Sequence, residues 1–214
     1  MTAIMAVSLT DARAELVRQR ILEGVALVLG RGEAWTFGNV AKAAGVPERT
    51  LYRYFPTREA LLLAIFDWAN QRIGAQGRLP ANARELTSLT RRAFPGFDAL
   101  APVVRELLLA PEGQLARLRQ KSARQRASLA LARREAPGLG PARTRRLAAV
   151  LQLLSQAATW HALREYWDMD GAEAAEAAAL AIELLLAGAQ ARPHEKKTAP
   201  ATREKRRRRL EVSA

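Results

Sequence analysis

The feature that most constrains this chain is a succession of apolar stripes at helical spacing, separated by glycine and proline. Val17, Ile21, Val25 and Val28 recur every three or four residues, as on one face of an α-helix, and the stripe ends at Gly30. Aromatic residues make up only 6% of the chain, whereas Ala and Leu, which are strong helix formers, are abundant. The sequence therefore predicts an all-α protein of about nine helices.

Capping residues and helix breakers set the predicted bounds. The first helix begins at Ser8, where the Ser-x-x-Asp pattern resembles a capping box, and the last follows the Asp170-x-x-Glu173 pattern. Pro95-Gly96 and Pro137-Gly138 are typical breaks, and Pro141 suits the first position of a helix. The predicted helices span residues 8–30, 38–44, 47–55, 57–76, 82–93, 98–110, 112–135, 141–168 and 171–190.

Several classes of protein are excluded by composition. The chain has no cysteine and two histidines, so it has no thiolate for a metal or a nucleophile and too few imidazoles for a metal cage. It also lacks a glycine-rich phosphate loop, so we expect no enzyme, no metal and no cofactor. No run of about 18 uncharged apolar residues is present, and the N-terminus lacks the basic region of a signal peptide. We expect a cytoplasmic protein without a membrane partner.

The net charge of +13 points to a polyanionic partner, but the charge is uneven. Residues 117–146 hold ten bases against Glu135 alone, whereas residues 159–190 have a net charge of −5. The basic region is a second nucleic-acid surface, a pocket for an anionic ligand, or a solvated face. After Ala191 the chain is basic and almost without apolar residues, which predicts a disordered tail at 191–214. The arginines at 206–209 in this tail can add phosphate contacts.

Residues 36–55 have the pattern of a helix-turn-helix. The first short helix carries small or apolar residues on one side, where a second helix can cross closely: Val40, Ala41 and Ala44. Gly45 lies where the chain reverses, because glycine adopts a positive φ without strain. Leu51 and Phe55, four residues apart, are predicted to face the core, and Pro47 is predicted at the first position of the second helix.

The outward side of the second helix carries hydrogen-bond donors and flat rings, which suit a DNA major groove. Tyr52 and Tyr54 are two residues apart and cannot share a helix face, so at most one of them is buried. Glu48 either accepts a hydrogen bond from a cytosine amino group or complements the helix N-terminus.

At these positions the sequence resembles the TetR family of bacterial transcriptional regulators. The residues that carry the resemblance are 36, 40–41, 44–46, 50–55 and 58–61, within a region of about a quarter of the chain, residues 17–68. The resemblance implies a helix-turn-helix DNA-binding head at residues 8–60 and a regulatory body for ligand binding and dimerisation at residues 61–190.

The resemblance also implies the residues that touch DNA: Thr36, Arg49, Thr50, Tyr52, Arg53, Tyr54 and Arg58. In this assignment Thr36 also caps the first short helix. The resemblance assigns phosphate or sugar contacts to Thr36, Tyr52, Tyr54 and Arg58. It assigns base-edge contacts to Arg49, Thr50 and Arg53. A bidentate contact of Arg49 with guanine would contribute about 1–3 kcal/mol of discrimination.

Candidate effector contacts come from two places in the body. Ser122 and Gln125 lie near an apolar stripe, although such a polar pair also commonly bonds a neighbouring helix. Trp160, His161 and Trp167 belong to the densest aromatic cluster outside the helix-turn-helix, and the histidine alone also fits an ordinary core position.

The implied partners are a pseudo-palindromic double-stranded operator, a second copy of the chain docked through the last two long helices, and an unidentified small-molecule effector that releases a repressor. The alternative is a nucleoid-type architectural protein that binds DNA without sequence preference.

Overall fold

The structure is a computed structural model, and it describes residues 9–75 and 79–191. Those residues form helices connected by short turns, with no strand among them, so the predicted all-α class is confirmed. The helices are α1 (Leu9–Gly30), α2 (Phe37–Ala44), α3 (Glu48–Tyr54), α4 (Arg58–Arg72), α5 (Ala83–Ala99), α6 (Ala101–Leu109), α7 (Pro111–Leu118), α8 (Lys121–Glu135), α9 (Pro141–Leu154), α10 (Ala157–Trp167) and α11 (Gly171–Gln190).

The first four helices and the last one follow the sequence signals closely. In α1, Ile21, Val25 and Val28 are buried, as the apolar stripe predicts. Asp170 accepts hydrogen bonds from the first backbone N–H groups of α11, and Glu173 completes the capping box. The predicted cap at Ser8 and the tail from residue 192 lie outside the described residues. The prediction that the fourth helix extends to residue 76 is wrong: α4 ends at Arg72, because Gly74 takes the left-handed conformation with φ 69° and turns the chain.

Eleven helices replace the predicted nine in the described ranges because two long helices are each interrupted. The predicted helix 141–168 ends at Leu154 and restarts at Ala157, where the Ser155 hydroxyl bonds the carbonyl of Gln152 and the Thr159 hydroxyl bonds that of Leu153. Hydroxyl side chains that satisfy carbonyls in this way compete with the helical ladder. The predicted helix 112–135 divides into α7, which packs on α4 and α6, and α8, which packs on α9.

The break predicted at Pro95-Gly96 is wrong, because α5 continues through both residues to Ala99. Proline removes one backbone hydrogen bond, but Phe94 and Phe97 on either side of it are buried in the core, and their packing stabilises the continuous helix. Gly96 lets α5 approach Ile73, whose Cγ2 would lie only 2.8 Å from a Cβ at residue 96.

One cluster of buried apolar residues spans the predicted boundary between the head and the body at residue 60. It contains residues of α1–α7, of α10 and of α11, and it includes Leu51, Ile65, Val104 and Trp160. A smaller cluster, centred on Leu151, joins α5, α8, α9 and α11. The predicted head therefore shares apolar contacts with the body, since α1 and α4 both pack on α6. Among the described helices, none combines the length with the apolar character that a membrane-spanning segment requires.

Asp98 ties α5 to the two C-terminal helices. Its Oδ1 accepts hydrogen bonds from Trp160 Nε1 at 2.9 Å and from Arg164 Nη1 at 2.6 Å, and its Oδ2 accepts one from the backbone N–H of Gly171. Trp160 is fully buried, so its indole N–H has no access to water. A single carboxylate thus satisfies a buried donor and fixes the start of α11.

Candidate nucleic-acid interface

The turn between α2 and α3 has the geometry that its sequence predicts. Thr36 caps α2, and its Oγ1 accepts a hydrogen bond from Asn39 N at 3.2 Å. Gly45 ends α2 in the left-handed region with φ 63°, and Val46 N then reaches back to the carbonyl of Ala41 at 3.0 Å. These local bonds fix the direction in which α3 leaves α2.

The inward side of this unit is apolar and closely packed. Leu51 and Phe55 are buried, as predicted, and so are the three small residues of α2. The approach of α1 is very close, because a Cβ at Gly24 would lie 2.9 Å from Ala44 Cβ. Pro47 is the N-cap of α3 rather than its first helical residue, and its carbonyl accepts the N–H groups of Thr50 and Leu51.

The outward side of α3 carries the predicted base-reading residues. Arg49 and Arg53 are exposed, and Thr50 is half-buried. Within the described part of the chain, Arg49 has no hydrogen bond or ion pair, so its guanidinium is free to pair with a base edge. Glu48 lies in the first turn of α3, where its negative charge interacts favourably with the partial positive charge of the helix N-terminus.

The two tyrosines of α3 occupy different environments, as their spacing predicts. Tyr52 is 50% exposed and packs its ring on Phe37, with 4.7 Å between the ring centroids. Tyr54 is half-buried against the core, and the Arg53 guanidinium lies 5.3 Å from its ring centroid. Phe37 was not identified from the sequence, although an aromatic residue directly after a helix cap is the signal that could have indicated it.

Arg58 is turned toward the body rather than extended into solvent. Its guanidinium lies over the Trp35 ring, 3.6 Å from the centroid. Its Nη2 lies 3.3 Å from Glu106 Oε1 on α6, and its Nε lies 3.5 Å from Glu112 Oε1 on α7. Trp35 donates its own N–H to the same Glu106 oxygen at 2.7 Å. Sequence reasoning missed Trp35, Glu106 and Glu112 as part of this site.

The structure places the five predicted effector contacts in unlike surroundings. Ser122 and Gln125 are exposed on α8, and Trp167 is 71% exposed at the end of α10. Trp160 is fully buried, and its N–H bonds to a carboxylate of α5. His161 is half-buried, with Nδ1 at 3.8 Å from Glu165 Oε1. That these five residues contact one effector therefore stays a prediction.

Two open cavities have volumes in the range of small-molecule sites, but neither is lined by those five residues. One, of about 320 Å³, lies at the end of α10 beside Glu165 and Met169. The other, of about 600 Å³, lies between the end of α4 and the start of α5, beside Gly74 and Arg92.

Two arginines of the basic region at residues 117–146, Arg117 and Arg124, are half-buried rather than fully solvated. Burial lowers the pKa of the Arg117 guanidinium, which donates a hydrogen bond to the backbone carbonyl of Leu107. Burial and the neighbouring Arg117 charge lower the pKa of Arg124.

A row of large apolar side chains is exposed on the C-terminal helices. Leu180 and Leu184 lie four residues apart on α11 and are 56% and 64% exposed. On α9, Val150 and Leu153 are 42% and 53% exposed. Grouped apolar side chains at helical spacing are typical of a helix face that packs on another helix.

Comparison with known proteins relates the helix-turn-helix to a known family. A family model described as bacterial regulatory proteins, tetR family, matches residues 32–65, which include α2, α3 and the start of α4. Two curated relatives from Mycobacterium tuberculosis are each 37% identical over 70 residues: the uncharacterized HTH-type transcriptional regulators MT1294 (strain CDC 1551 / Oshkosh) and Rv1255c (strain ATCC 25618 / H37Rv). The match covers 32% of this chain and spans about a third of each relative, 35% of its length.

A solved structure shows the same fold over most of the chain. It is described as the multidrug binding protein EbrR complexed with imidazole, and it superposes with a TM-score of 0.52 and 19% identity. The superposition covers 87% of this chain and 97% of that one. The resemblance predicted from the sequence is therefore confirmed over the helix-turn-helix: residues 32–65 match the tetR family of bacterial regulatory proteins.

Proposed function

We propose that the chain is a sequence-specific DNA-binding transcriptional regulator and has no enzymatic activity. The observation that carries the proposal is the outward face of α3, where Arg49 has no partner among the described residues and lies beside Thr50 and Arg53, in a helix-turn-helix whose first helix is capped by Thr36. A guanidinium free of other partners can make a bidentate contact with guanine in the major groove. Thr36 and Tyr52, exposed at the edge of this face, are suited to phosphate contacts.

The regulator acts as a dimer on a pseudo-palindromic operator in this proposal. The exposed leucines of α11 and the apolar side chains of α9 would pack against their copies in a two-fold arrangement of four helices. Each subunit would then place one α3 in the major groove of a half-site. This assignment keeps the predicted use of the C-terminal helices, although the longer of them is divided into α9 and α10.

The proposed mode of action is repression that a small-molecule effector relieves. An effector can only shift the dimer away from DNA if it binds the non-binding arrangement more tightly. The body at residues 61–190 would hold the effector, and α4 would transmit its effect because it packs on both α1 and α6. The EbrR structure was solved with imidazole, which shows that another protein of this fold accepts a small molecule.

The test is selection of bound duplexes from a random pool at about physiological salt, with the full chain and with a chain ending at Ala191. We expect both to recover the same palindromic sequence. Arg49→Ala should then relax the preference at one position of each half-site by about 5- to 150-fold. Arg31→Ala is the matched control, because Arg31 is exposed and pairs with Glu33 at the end of α1.

Recovery of no preferred sequence would refute the proposal. If binding without preference also disappeared in the truncated chain, the architectural alternative would replace it.

A further inference from the structure

Four side chains form a junction between the predicted head and the body. Glu106 Oε1 accepts a hydrogen bond from the buried Trp35 indole and also lies 3.3 Å from Arg58 Nη2. Glu112 Oε1 lies 3.5 Å from Arg58 Nε. One guanidinium from the start of α4 is therefore held by an aromatic ring and by two carboxylates of α6 and α7. The contacts act together, because the ring and the carboxylates bind the cation from different sides.

Two residues of this junction adjoin, along the chain, the segment that is proposed to contact DNA. Trp35 precedes Thr36, the N-cap of α2, and the carbonyl of Ala34 accepts bonds from Thr36 N at 3.0 Å and Asn39 Nδ2 at 2.7 Å. Arg58 is the first residue of α4 and follows the loop after α3. Its side chain is 46% exposed, so solvent and solutes reach it. The guanidinium thus lies at the edge of the head where the proposed phosphate contacts begin.

We infer that Glu106 and Glu112 are positioning residues that compete with a DNA phosphate for Arg58. The inference rests on the proposed function, since it requires the helix-turn-helix to bind DNA. In the free protein the two carboxylates hold the guanidinium on Trp35. On binding, a phosphate oxygen replaces at least the Glu112 carboxylate, which is the longer of the two ion pairs.

The competition has a definite sign. Neutralising Glu112 leaves Arg58 with fewer interactions to give up, so DNA affinity should rise. Exposed ion pairs contribute little, and we therefore expect an increase of about two- to fivefold. In the unaltered chain the displaced Glu112 carboxylate takes up a cation when DNA binds, which offsets the cation that Arg58 releases from the phosphate. Glu112→Gln removes this uptake, so the slope of log K against log salt concentration should steepen by up to about 0.9.

The experiment is a double-mutant cycle on DNA binding by the full chain, measured over a series of salt concentrations. The four proteins are the unaltered chain, Glu112→Gln, Arg58→Gln and the double variant, and the probe is the duplex recovered by selection. Glu59→Gln is the control for a general loss of negative charge, because Glu59 is exposed beside Arg58 on α4. Glu106→Gln is a second variant that removes charge but keeps an oxygen to accept the indole N–H.

We expect Glu112→Gln and Glu106→Gln to strengthen binding more than Glu59→Gln does, and we expect the excess to vanish when Arg58 is Gln. Equal effects of Glu112→Gln in both backgrounds, or an unchanged salt slope, would overturn the inference while sequence-specific binding still upheld the proposed function. Loss of all DNA binding in the unaltered chain would overturn both.

Discussion

Replacement of Asp98 by Asn tests whether one carboxylate holds three helices together. Its two oxygens accept bonds from Trp160, Arg164 and Gly171, which belong to α10 and the start of α11. An Asn side chain has one carbonyl oxygen, so its amide group must face either the backbone N–H of Gly171 or the other two donors. At least one donor then meets another donor, and Arg164 loses its counter-charge.

The expected destabilisation follows from these contacts. A hydrogen bond to a charged group contributes about 1.5–3 kcal/mol, and a buried donor left without an acceptor costs about 1–3 kcal/mol. The Asp98 side chain is 26% exposed, which allows water to recover part of the loss. We therefore expect the free energy of unfolding to fall by about 2–3 kcal/mol. For a chain of this size that lowers Tm by about 4–12 °C.

The assay is thermal unfolding followed by circular dichroism at one fixed protein concentration, since the stability of an oligomer depends on concentration. Glu176→Gln is the matched control. Glu176 accepts hydrogen bonds from Arg91 at 2.8 and 3.1 Å, and that hydrogen bonding lowers the pKa of the Glu176 carboxyl, but both side chains are exposed. Exposed pairs contribute little to stability. If the Tm of Asp98→Asn matched that of Glu176→Gln, the bonds of Asp98 would not hold the three helices together.

Two further predictions concern close packing and assembly. Gly24→Ala stabilises α1 by about 1 kcal/mol through helix propensity. The new Cβ would lie 2.9 Å from Ala44 Cβ, and this overpacking destabilises the fold by about 1–3 kcal/mol, so we expect a lower Tm and weaker DNA binding. Gly38→Ala, whose nearest contact would be an ordinary 3.7 Å, should raise Tm instead; a higher Tm for Gly24→Ala would contradict this packing. Leu184→Glu should produce monomers in sedimentation velocity, whereas Leu16→Glu, on an equally exposed leucine of α1, should not. An unchanged dimer with Leu184→Glu would place the interface elsewhere.

Local chemistry made the helix-turn-helix predictable from the sequence. Thr36 and Gly45 specify a cap and a left-handed turn through bonds between residues at most five positions apart, and the capping box at Asp170 does the same for α11. Such features depend on neighbours along the chain, so a single sequence contains them in full.

The contacts that link distant segments could not be predicted in the same way. Glu106 bonds Trp35, 71 residues earlier, and Asp98 bonds Trp160, 62 residues later. Nothing near a carboxylate in sequence marks which distant donor it will meet. The continuation of α5 through Pro95 has the same origin, because burial of neighbouring phenylalanines outweighed a local breaking signal.

The four tryptophans occupy different environments, which gives the protein internal optical reporters. Trp35, Trp68 and Trp160 are at most 6% exposed, whereas Trp167 is 71% exposed. A dissolved quencher therefore reaches Trp167 directly and the other three only when the fold opens. The Trp35 indole lies against a guanidinium at the junction of head and body, so its emission is sensitive to any displacement of that charge. Natural fluorescence can thus follow the two ends of the molecule without an added label.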